Sequence, residues 1–215
     1  MSGTKDGLGH SEIPLKQEFC RYCRLLYERH LVTGVGGNVS ARMGNRILLT
    51  PSGYSLRDVT PEDLIVSDRR GRAVEGKNPT KDAGLHIRVL RRRPDIHVVF
   101  HVHGANIVAV SAMLEPGAAT LTPLTPGFVC FAYPLPMLPF MVPGTEILAR
   151  TAAKALSAGS QKALLLQNHG LVTLGRDFRE AINIAEEIDE AARIYLLTRG
   201  TGKIISDSYL DPIRS

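Results

Sequence analysis

The sequence predicts an α/β protein whose mixed sheet is covered by helices. Segments with helical periodicity alternate with short apolar segments typical of strands, and several neighbouring strands are separated by turns short enough for hairpins. The chain has 215 residues, of which 44% are hydrophobic and 22% charged, and a single core suits that length. We therefore expect one domain over residues 11–215, preceded by a flexible tail over residues 1–10.

The N-terminal half predicts one long helix followed by a small antiparallel sheet. Apolar residues such as Leu15, Phe19 and Leu26 recur at steps of three and four, which predicts an amphipathic helix from Glu12 to His30. Four short strands follow it, with the sequences VSARM, RILLTP, LIVSD and RAVEG. Between them, the sequence TPED, from Thr60 to Asp63, predicts a helical turn with a threonine cap and a proline in its first position.

The second half predicts helices interleaved with strands. A helix from Asp82 to Arg93 is ended by Pro94, and the sequence IHVVFHVH, from Ile96 to His103, is typical of a buried strand. The elements predicted further along are a helix from Thr145 to Leu156, strands from Lys162 to Gln167 and from Leu171 to Leu174, and a helix from Asp177 to Arg199. The last helix begins with a capping-box pattern and is followed by a glycine.

Composition excludes several classes of protein. The longest uncharged stretch, residues 116–145, contains seven prolines, and a lipid-exposed helix does not tolerate them. The polar N-terminus lacks the apolar segment of a secretory signal. Three cysteines, Cys20, Cys23 and Cys130, cannot build a disulfide framework, and their odd number fits a reducing compartment. We expect a cytoplasmic protein with no membrane contact.

Positive charge is concentrated in one segment. The formal net charge is +5, and residues 69–93 hold nine Lys or Arg against only Glu75 and Asp82. Three interpretations remain open: a solvated helix end at residues 91–93 that complements the helix dipole, attraction of an anionic small molecule, and nucleic acid. The helix end is favoured by the proline that follows, and we predict no nucleic-acid partner.

The pattern His101-Val102-His103 predicts a metal site. Residues two apart on a strand point to the same face, so both imidazoles can reach one point. A third histidine, His169, follows an apolar strand and precedes Gly170, where a side chain can project into a cleft. Three histidines with one open coordination position are typical of a catalytic zinc. The spacing leaves Mn, Fe, Ni and Cu open, and buried hydrogen-bonded histidines are the alternative interpretation.

Three polar turns carry groups that bind anions. The first, GVGGN over residues 34–38, offers backbone N–H groups, although simple turn geometry also explains its glycines. The second, TPSG over residues 50–53, offers two hydroxyls. The third, NPTKD over residues 78–82, offers a hydroxyl, a cation and a carboxylate at a helix N-terminus. Together the turns fit a phosphorylated or carboxylated substrate.

The order of these motifs resembles the class II aldolase/adducin family, which contains L-fuculose-phosphate aldolase and L-ribulose-phosphate 4-epimerase. The resemblance covers about residues 15–200 and rests on TGVGGNVS, LLTPSG, TPEDLIV, GKNPTKD, RPDIHVVFHVHG, LLLQNHGLVTLG and EEIDEAARIYLL. It implies a three-layer α/β/α fold with a central, mainly antiparallel sheet. It also implies a homotetramer with active sites near subunit interfaces.

The resemblance further implies roles for individual residues. A divalent metal, usually zinc, would be held by His101, His103 and His169. Contacts to a substrate phosphate or carboxylate would fall to Gly37, Asn38, Ser52, Gly53, Thr80 and Lys81. Asp82 stands where lyases of the family have a glutamate that acts as ligand or acid/base, so its reach is one methylene shorter.

A second departure concerns the proton donor. Aldolases of this type have a tyrosine near LTPGFVCFAY, but the locally similar positions here are Gly127 and Phe128, which leaves Tyr133 and Tyr209 as candidates. The segments PTKDAGLH and LTPGF look closer to the 3-oxo-tetronate 4-phosphate decarboxylase branch. This similarity favours decarboxylation over aldol cleavage.

We therefore predict a divalent-metal-dependent carbon–carbon lyase, either an aldehyde-lyase or a carboxy-lyase. Its substrate would be a small anionic sugar phosphate or hydroxy- or oxo-acid, converted through a metal-stabilised enediolate with Asp82 as the proton carrier. Zn²⁺ is the expected ion, with Mn²⁺, Fe²⁺ and Co²⁺ as alternatives. Two other functions stay open at this point: a metal-dependent epimerase or mononuclear iron oxygenase, and a non-catalytic interaction module like the adducin head.

Overall fold

The structure, a computed structural model, describes residues 9–76, 78–159 and 161–214. The strands of these residues form one sheet with the order β4-β3-β2-β1-β5-β8-β7-β6. In chain order they are β1 (Asn38–Met43), β2 (Arg46–Leu49), β3 (Ile65–Asp68), β4 (Ala73–Glu75), β5 (Val98–Val102), β6 (Met137–Leu138), β7 (Ala163–Leu166) and β8 (Gly170–Gly175). Neighbouring strands pair antiparallel except β6 and β7, which are parallel.

Helices lie on both faces of this sheet. In chain order they are α1 (Gly9–Glu28), α2 (Ala83–Arg92), α3 (Ala105–Met113), α4 (Pro126–Phe131), α5 (Glu146–Ser157), α6 (Phe178–Leu197) and α7 (Asp207–Arg214). On one face, Phe19 of α1, Ile107 of α3 and Phe178 of α6 belong to one buried apolar cluster. On the other face, Leu85 of α2 and Leu148 of α5 belong to a second cluster. The predicted three-layer α/β/α fold with a mainly antiparallel sheet is confirmed.

The alternation of side chains along strand β5 determines which of them face α2 and α5. Its Phe100 packs in the first cluster, whereas Val99 packs in the second. Because side chains alternate along a strand, His101 and, just past the strand, His103 point towards the α2 side. The register of β1 against β5 places Asn38 opposite His101.

The ends of the predicted elements differ in places from the structure. The first helix runs from Gly9 to Glu28, and His30, with a φ of +57°, lies beyond it. Residues 1–8 of the predicted tail lie outside the described residues. The sequence TPED forms a turn in which the backbone N–H and the hydroxyl of Thr60 donate to the carboxylate of Asp63 at 3.0 and 2.9 Å.

Four elements were not predicted from the sequence: α3, α4, β6 and α7. Helix α4 has six residues and lies in the proline-rich stretch, where Thr125 caps it by accepting a hydrogen bond from the N–H of Phe128 at 3.3 Å. Helix α3 has the sequence ANIVAVSAM, which is apolar on nearly all sides and shows no amphipathic period. No described helix is both long enough and apolar enough to cross a membrane.

The arginine run at the end of α2 is divided between the interior and the surface. The guanidinium of Arg93 is buried, donates to the backbone oxygens of Leu156 and Gln161 at 2.9 Å each, and pairs with Asp95 at 2.7 Å. A solvated helix end is therefore the wrong interpretation for Arg93, which fixes the end of α2 to the end of α5. Arg91 and Arg92 are exposed.

Candidate metal centre

Three histidine side chains meet on the α2 side of the sheet. His101 lies on β5, His103 follows that strand, and His169 lies in the turn between β7 and β8. Nε2 of His101 is 2.9 Å from Nε2 of His103 and 3.1 Å from Nε2 of His169. One nitrogen from each ring lies within 4.8 Å of the others. The structure therefore brings together the three residues that the sequence indicated as metal ligands.

A hydrogen bond orients His101 towards the other two rings. Its Nδ1 donates to the backbone oxygen of Leu171 at 3.1 Å, because a carbonyl oxygen can only accept. In the neutral ring this leaves Nε2 without a proton, facing His103 and His169. Bonds of this type hold ligating histidines in metal sites. The chemistry of the donor set thus fits a divalent cation between the three nitrogens.

Burial keeps these imidazoles in the neutral form. It lowers the pKa of His101 well below its ordinary value, and the rings of His103 and His169 lower that pKa further. Burial also lowers the pKa of His103 to about 4, with a further lowering from His169 and an opposing effect of Asp82. The pKa of His169 is lowered by burial as well. Neutral imidazole is the form that binds metals, so no proton has to leave near neutral pH.

Two glycines let the backbone approach the ring of His103. A Cβ on Gly36 would lie 3.0 Å from Nδ1 of His103, and a Cβ on Gly170 would lie 2.7 Å from its Cδ2. Gly37 has a φ of +78°, and a Cβ there would collide with the side chain of Val32. Gly36 and Gly170 are therefore explained by close packing around His103, and Gly37 by its positive φ and its packing against Val32.

The carboxylate of Asp82 borders the histidines from the start of α2. Its Oδ2 lies 3.9 Å from Nε2 of His101 and accepts a hydrogen bond from Nδ2 of Asn38 at 3.0 Å. Its Oδ1 accepts from the backbone N–H of Gly144 at 3.3 Å. Asp82 is the N-cap residue of α2, but its side chain makes no cap hydrogen bond. The carboxylate is thus held beside the centre by groups outside its own helix.

A second polar contact joins β1 to α2 next to the first. Oγ of Ser40 lies 2.8 Å from Nδ1 of His86, and both residues are fully buried. Ser40 lies two strand residues after Asn38, a distance of about 6.7 Å. His86 lies four helix residues after Asp82, a distance of about 6 Å. Because these two distances are similar, the Asn38–Asp82 and Ser40–His86 contacts can form side by side between β1 and α2. We call this pair of contacts the β1–α2 ladder.

His86 has a further property that the sequence did not show. Its Nε2 is buried and has no hydrogen-bond partner among the described residues. Burial lowers the pKa of His86 to about 4, although the carboxylate of Asp82 acts in the opposite direction. The signal that could have identified Ser40 and His86 is their spacing, two from Asn38 on a strand and four from Asp82 on a helix.

The three polar turns line one cavity beside the centre, with a volume of about 270 Å³. Its lining includes His103, Asp82 and the six residues for which substrate contacts were predicted, Gly37, Asn38, Ser52, Gly53, Thr80 and Lys81. Backbone hydrogen bonds hold two of the turns together, from the N–H of Ser52 to the oxygen of Asn78 at 2.8 Å and from the N–H of Thr80 to the oxygen of Thr50 at 3.0 Å. The substrate contacts themselves stay a prediction.

The two tyrosines considered as proton donors lie elsewhere. Tyr133 packs on Phe128 with ring centroids 6.0 Å apart, and Tyr209 is 62% exposed on α7. Neither lines the cavity, whereas Tyr54 does. Sequence reasoning did not single out Tyr54, although its position directly after Gly53 was the available signal.

Fold and site together define a class: a three-layer α/β protein in which three histidines and a carboxylate adjoin a cavity lined by polar turns. A family model described as the class II aldolase and adducin N-terminal domain matches residues 17–196. The chain therefore belongs to the class II aldolase and adducin family, as the order of its motifs predicted.

Relatives with similar sequences include two kinds of enzyme. The chain is 34% identical over 177 residues to L-fuculose phosphate aldolase of Methanococcus maripaludis, which covers 82% of this chain and 93% of the relative. It is 32% identical over 193 residues to 3-oxo-tetronate 4-phosphate decarboxylase of Haemophilus influenzae, covering 88% and 90%. The solved structure of L-fuculose-1-phosphate aldolase from Thermus thermophilus has a TM-score of 0.77 at 28% identity and covers 90% of this chain and 100% of that one.

Proposed function

We propose that this protein is a divalent-metal-dependent carbon–carbon lyase acting on a small anionic sugar phosphate or hydroxy- or oxo-acid. The observation that carries the proposal is the convergence of three imidazoles and the carboxylate of Asp82 beside a cavity lined by polar turns. The aldolase and decarboxylase relatives support it, because each matches this chain over at least nine-tenths of its own length.

His101, His103 and His169 would hold the metal, and Zn²⁺ is the proposed ion. When bound, such an ion supplies a Lewis acid that stabilises the negative charge developing on substrate oxygens as the carbon–carbon bond breaks. Three imidazole ligands suit zinc and leave a coordination position for an incoming oxygen.

The polar turns would bind the anionic end of the substrate. The hydroxyl of Ser52, the ammonium of Lys81 and the backbone N–H of Gly37 are donors of the kind that bind phosphate or carboxylate. Lys81 is exposed, so its ammonium can reach a ligand in the cavity without first losing a buried partner. Binding at the turns would leave the reacting end of a small substrate near His103 and Asp82.

Asp82 would move the proton. Asn38 and the backbone of Gly144 hold its two oxygens in one orientation beside the histidines. A carboxylate in hydrogen-bond reach of the substrate can take a proton during bond cleavage and return it to the product carbon. Following the family resemblance, we also propose a homotetramer with its active sites near subunit interfaces.

The test combines metal quantification with a substrate screen. Metal-free and zinc-reconstituted protein would be assayed with phosphorylated and free keto-acids and with sugar phosphates for release of aldehyde or carbon dioxide. We expect about one divalent ion per chain and product release from the reconstituted sample only. Aldehyde release indicates aldol cleavage, and carbon dioxide release indicates decarboxylation.

Two outcomes would contradict the proposal. A chain that has no affinity for added zinc and releases neither product would favour a non-catalytic interaction module. A protein that purifies with iron and consumes oxygen with these substrates would replace the lyase by an oxygenase.

A further inference from the structure

A cleft lined by arginines lies outside the candidate metal centre. It runs between the turn that joins β3 to β4 and the exposed side of α2, and its volume is about 460 Å³. Four guanidinium groups line it, those of Arg70, Arg88, Arg91 and Arg92. We call it the arginine cleft. It shares no lining residue with the cavity beside the histidines.

The arginine cleft and the metal centre use opposite sides of α2. Successive helix residues are rotated by about 100°, so Gly84, Ile87, Arg88 and Arg91 lie on one side and His86 on the other. Ile87 and Gly84 line the cleft, whereas His86 faces Ser40 of β1. A ligand in the cleft would therefore not compete for the space beside the histidines.

Most of the positive charge in the cleft has no acidic partner. Arg88 pairs with Glu146 at 2.6 Å and donates to the backbone oxygen of Gly84 at 3.2 Å. For Arg70, Arg91 and Arg92, no carboxylate of a described residue lies within ion-pair distance. Like charges placed together without counter-charge repel each other, so a bound anion would lower the free energy of this arrangement.

The wall that carries Arg70 is fixed by local contacts. The carboxylate of Asp68 accepts hydrogen bonds from the backbone N–H groups of Arg70 and Arg72 at 2.8 and 3.0 Å. Gly71 has a φ of +86°, and a Cβ there would lie 2.9 Å from Cδ1 of Ile87. A glycine is therefore needed where this turn packs against α2. The same contacts fix the position of the backbone of Arg70 relative to the helix.

The size and chemistry of the cleft select the ligand class. Its volume falls in the range of about 300–1,000 Å³ found for small-molecule pockets. The guanidinium fork matches the geometry of phosphate oxygens and keeps its charge at every physiological pH. A neighbouring cavity of about 720 Å³ shares Arg92 and adds Arg150 and Lys154, so the positive lining extends beyond one phosphate group.

We propose that the arginine cleft is a second anion-binding site, distinct from the metal centre, for a small molecule that carries a diphosphate group. Arg70, Arg91 and Arg92 would bind its phosphate oxygens, and Arg88, held by Glu146, would close one side. This assigns the basic segment of the sequence to a small anionic ligand rather than to nucleic acid.

The test is calorimetric titration of the metal-loaded protein with inorganic pyrophosphate at about 0.15 M ionic strength, where the Debye length is only about 8 Å. Bound metal is measured before and after, because pyrophosphate also chelates metals. The cleft variant is the double substitution R91Q/R92Q. The matched control is R24Q/R179Q, which removes the same charge from exposed arginines on α1 and α6 that form no ion pair with a described residue.

We expect one pyrophosphate site per chain whose affinity is at least about tenfold weaker in R91Q/R92Q and unchanged in the control, in addition to any pyrophosphate bound by the polar turns beside the histidines. Thermal unfolding of both variants checks that they are folded. Absence of binding, equal weakening in both variants, or unchanged binding in R91Q/R92Q would overturn the proposal. Tighter binding of a short DNA duplex through the same arginines would also overturn it, because the surface would then be a nucleic-acid interface.

Discussion

The imidazole cluster and the arginine cleft are both groups of like side chains, set on opposite sides of α2. In the first, Nε2 atoms approach within 2.9 and 3.1 Å, and His101 is 1% exposed. In the second, Arg91 and Arg92 are exposed and remain in contact with water. Similar crowding is thus achieved with buried and partly buried rings at one site and with solvent-exposed side chains at the other.

The difference between the two sites arises because an imidazole can lose its positive charge, whereas a guanidinium cannot. Burial removes the proton from an imidazole, so three rings can be packed together without like-charge repulsion. A guanidinium does not lose its proton in a protein, so it needs water or an acceptor. Arg93, the C-cap residue of the same helix, has such acceptors, because its buried guanidinium contacts Asp95 and two carbonyl oxygens. Crowded imidazoles therefore point to a cation, and crowded arginines to an anion.

Removing one imidazole is expected to have the largest effect. His101→Ala or His169→Ala should lose bound metal and reduce turnover by at least about a thousandfold, or roughly 4 kcal/mol of transition-state stabilisation. Metal analysis and product-release kinetics measure both. The matched control is His97→Ala, because His97 is exposed just before β5 and should tolerate the change. A His169→Ala protein with normal metal content and turnover would show that the cluster is only a packing feature.

Changing Asp82 should have the next largest effect. Asp82→Asn keeps the size of the side chain but cannot carry the proton, so kcat should fall by about 10²–10³-fold while metal content is unchanged. Asp82→Glu, which restores the residue typical of the family's lyases, should retain more activity than Asp82→Asn. Asp58→Asn is the control, since Asp58 is an exposed partner of Arg57. Full turnover of Asp82→Asn would exclude this carboxylate as the proton carrier.

The pH dependence of the free energy of unfolding should reveal the buried histidine of α2, His86. The pKa of His86 is lowered from 6.5 to about 4 in the folded protein. Above pH 6.5 the ring is neutral in both states. As the pH falls below that value the unfolded chain takes up the proton first, so the free energy of unfolding decreases until about pH 4. The contribution of His86 to this loss is on the order of 3 kcal/mol, and in metal-free protein the lowered pKa values of His101, His103 and His169 add to it. Urea unfolding of metal-free protein at a series of pH values measures the total.

Two variants separate this effect from the rest of the protein. His86→Asn places an amide where Nδ1 meets Ser40 but cannot titrate, so its stability should fall less steeply over the same pH window. His97→Asn, at an exposed position, should keep the steep dependence of the parent chain. Identical slopes for His86→Asn and the parent would assign the pH dependence to other groups.

The exposed arginines should have the smallest effect on stability. R91Q/R92Q is expected to change the free energy of unfolding by less than about 0.5 kcal/mol, as is usual at solvated positions. Arg93→Gln should cost about 2 kcal/mol, since it leaves buried carbonyl oxygens of Leu156 and Gln161 without their donor. Urea unfolding of both variants measures the contrast. Equal destabilisation would mean that the cleft is part of the packed core.

Sequence patterns predicted the elements whose buried faces follow a regular period, including α1, α2, α5 and α6. They did not predict α3, which is apolar on nearly all sides, or α4, which is a short helix among prolines. In these segments the burial comes from neighbouring elements, and no period in the local sequence reports it. Arg93 was misassigned for the same reason, because its acceptors lie on α5 and the loop after it.

The features of the candidate site also divide into those that the sequence predicted and those that depend on tertiary contacts. The pairing of His101 with His103 follows from strand alternation alone, and His169 was indicated by its position after an apolar strand and before Gly170. The place of Asp82 beside them came from the family resemblance. The hydrogen bond from His101 to the oxygen of Leu171 depends on the pairing of β5 with β8. The Ser40–His86 contact depends on the packing of α2 against β1. Such information is tertiary, and one sequence does not contain it in readable form.

The β1–α2 ladder restricts where residues can be inserted into or deleted from this chain. Asn38 and Ser40 face α2 only while β1 keeps its pairing with β5. One residue inserted between Asn38 and Ser40 would place their side chains on opposite faces of the sheet, so that one of the two contacts to Asp82 and His86 would be lost. Natural insertions and deletions are therefore expected in connecting segments such as residues 116–125, while the number of residues in this strand stays constant.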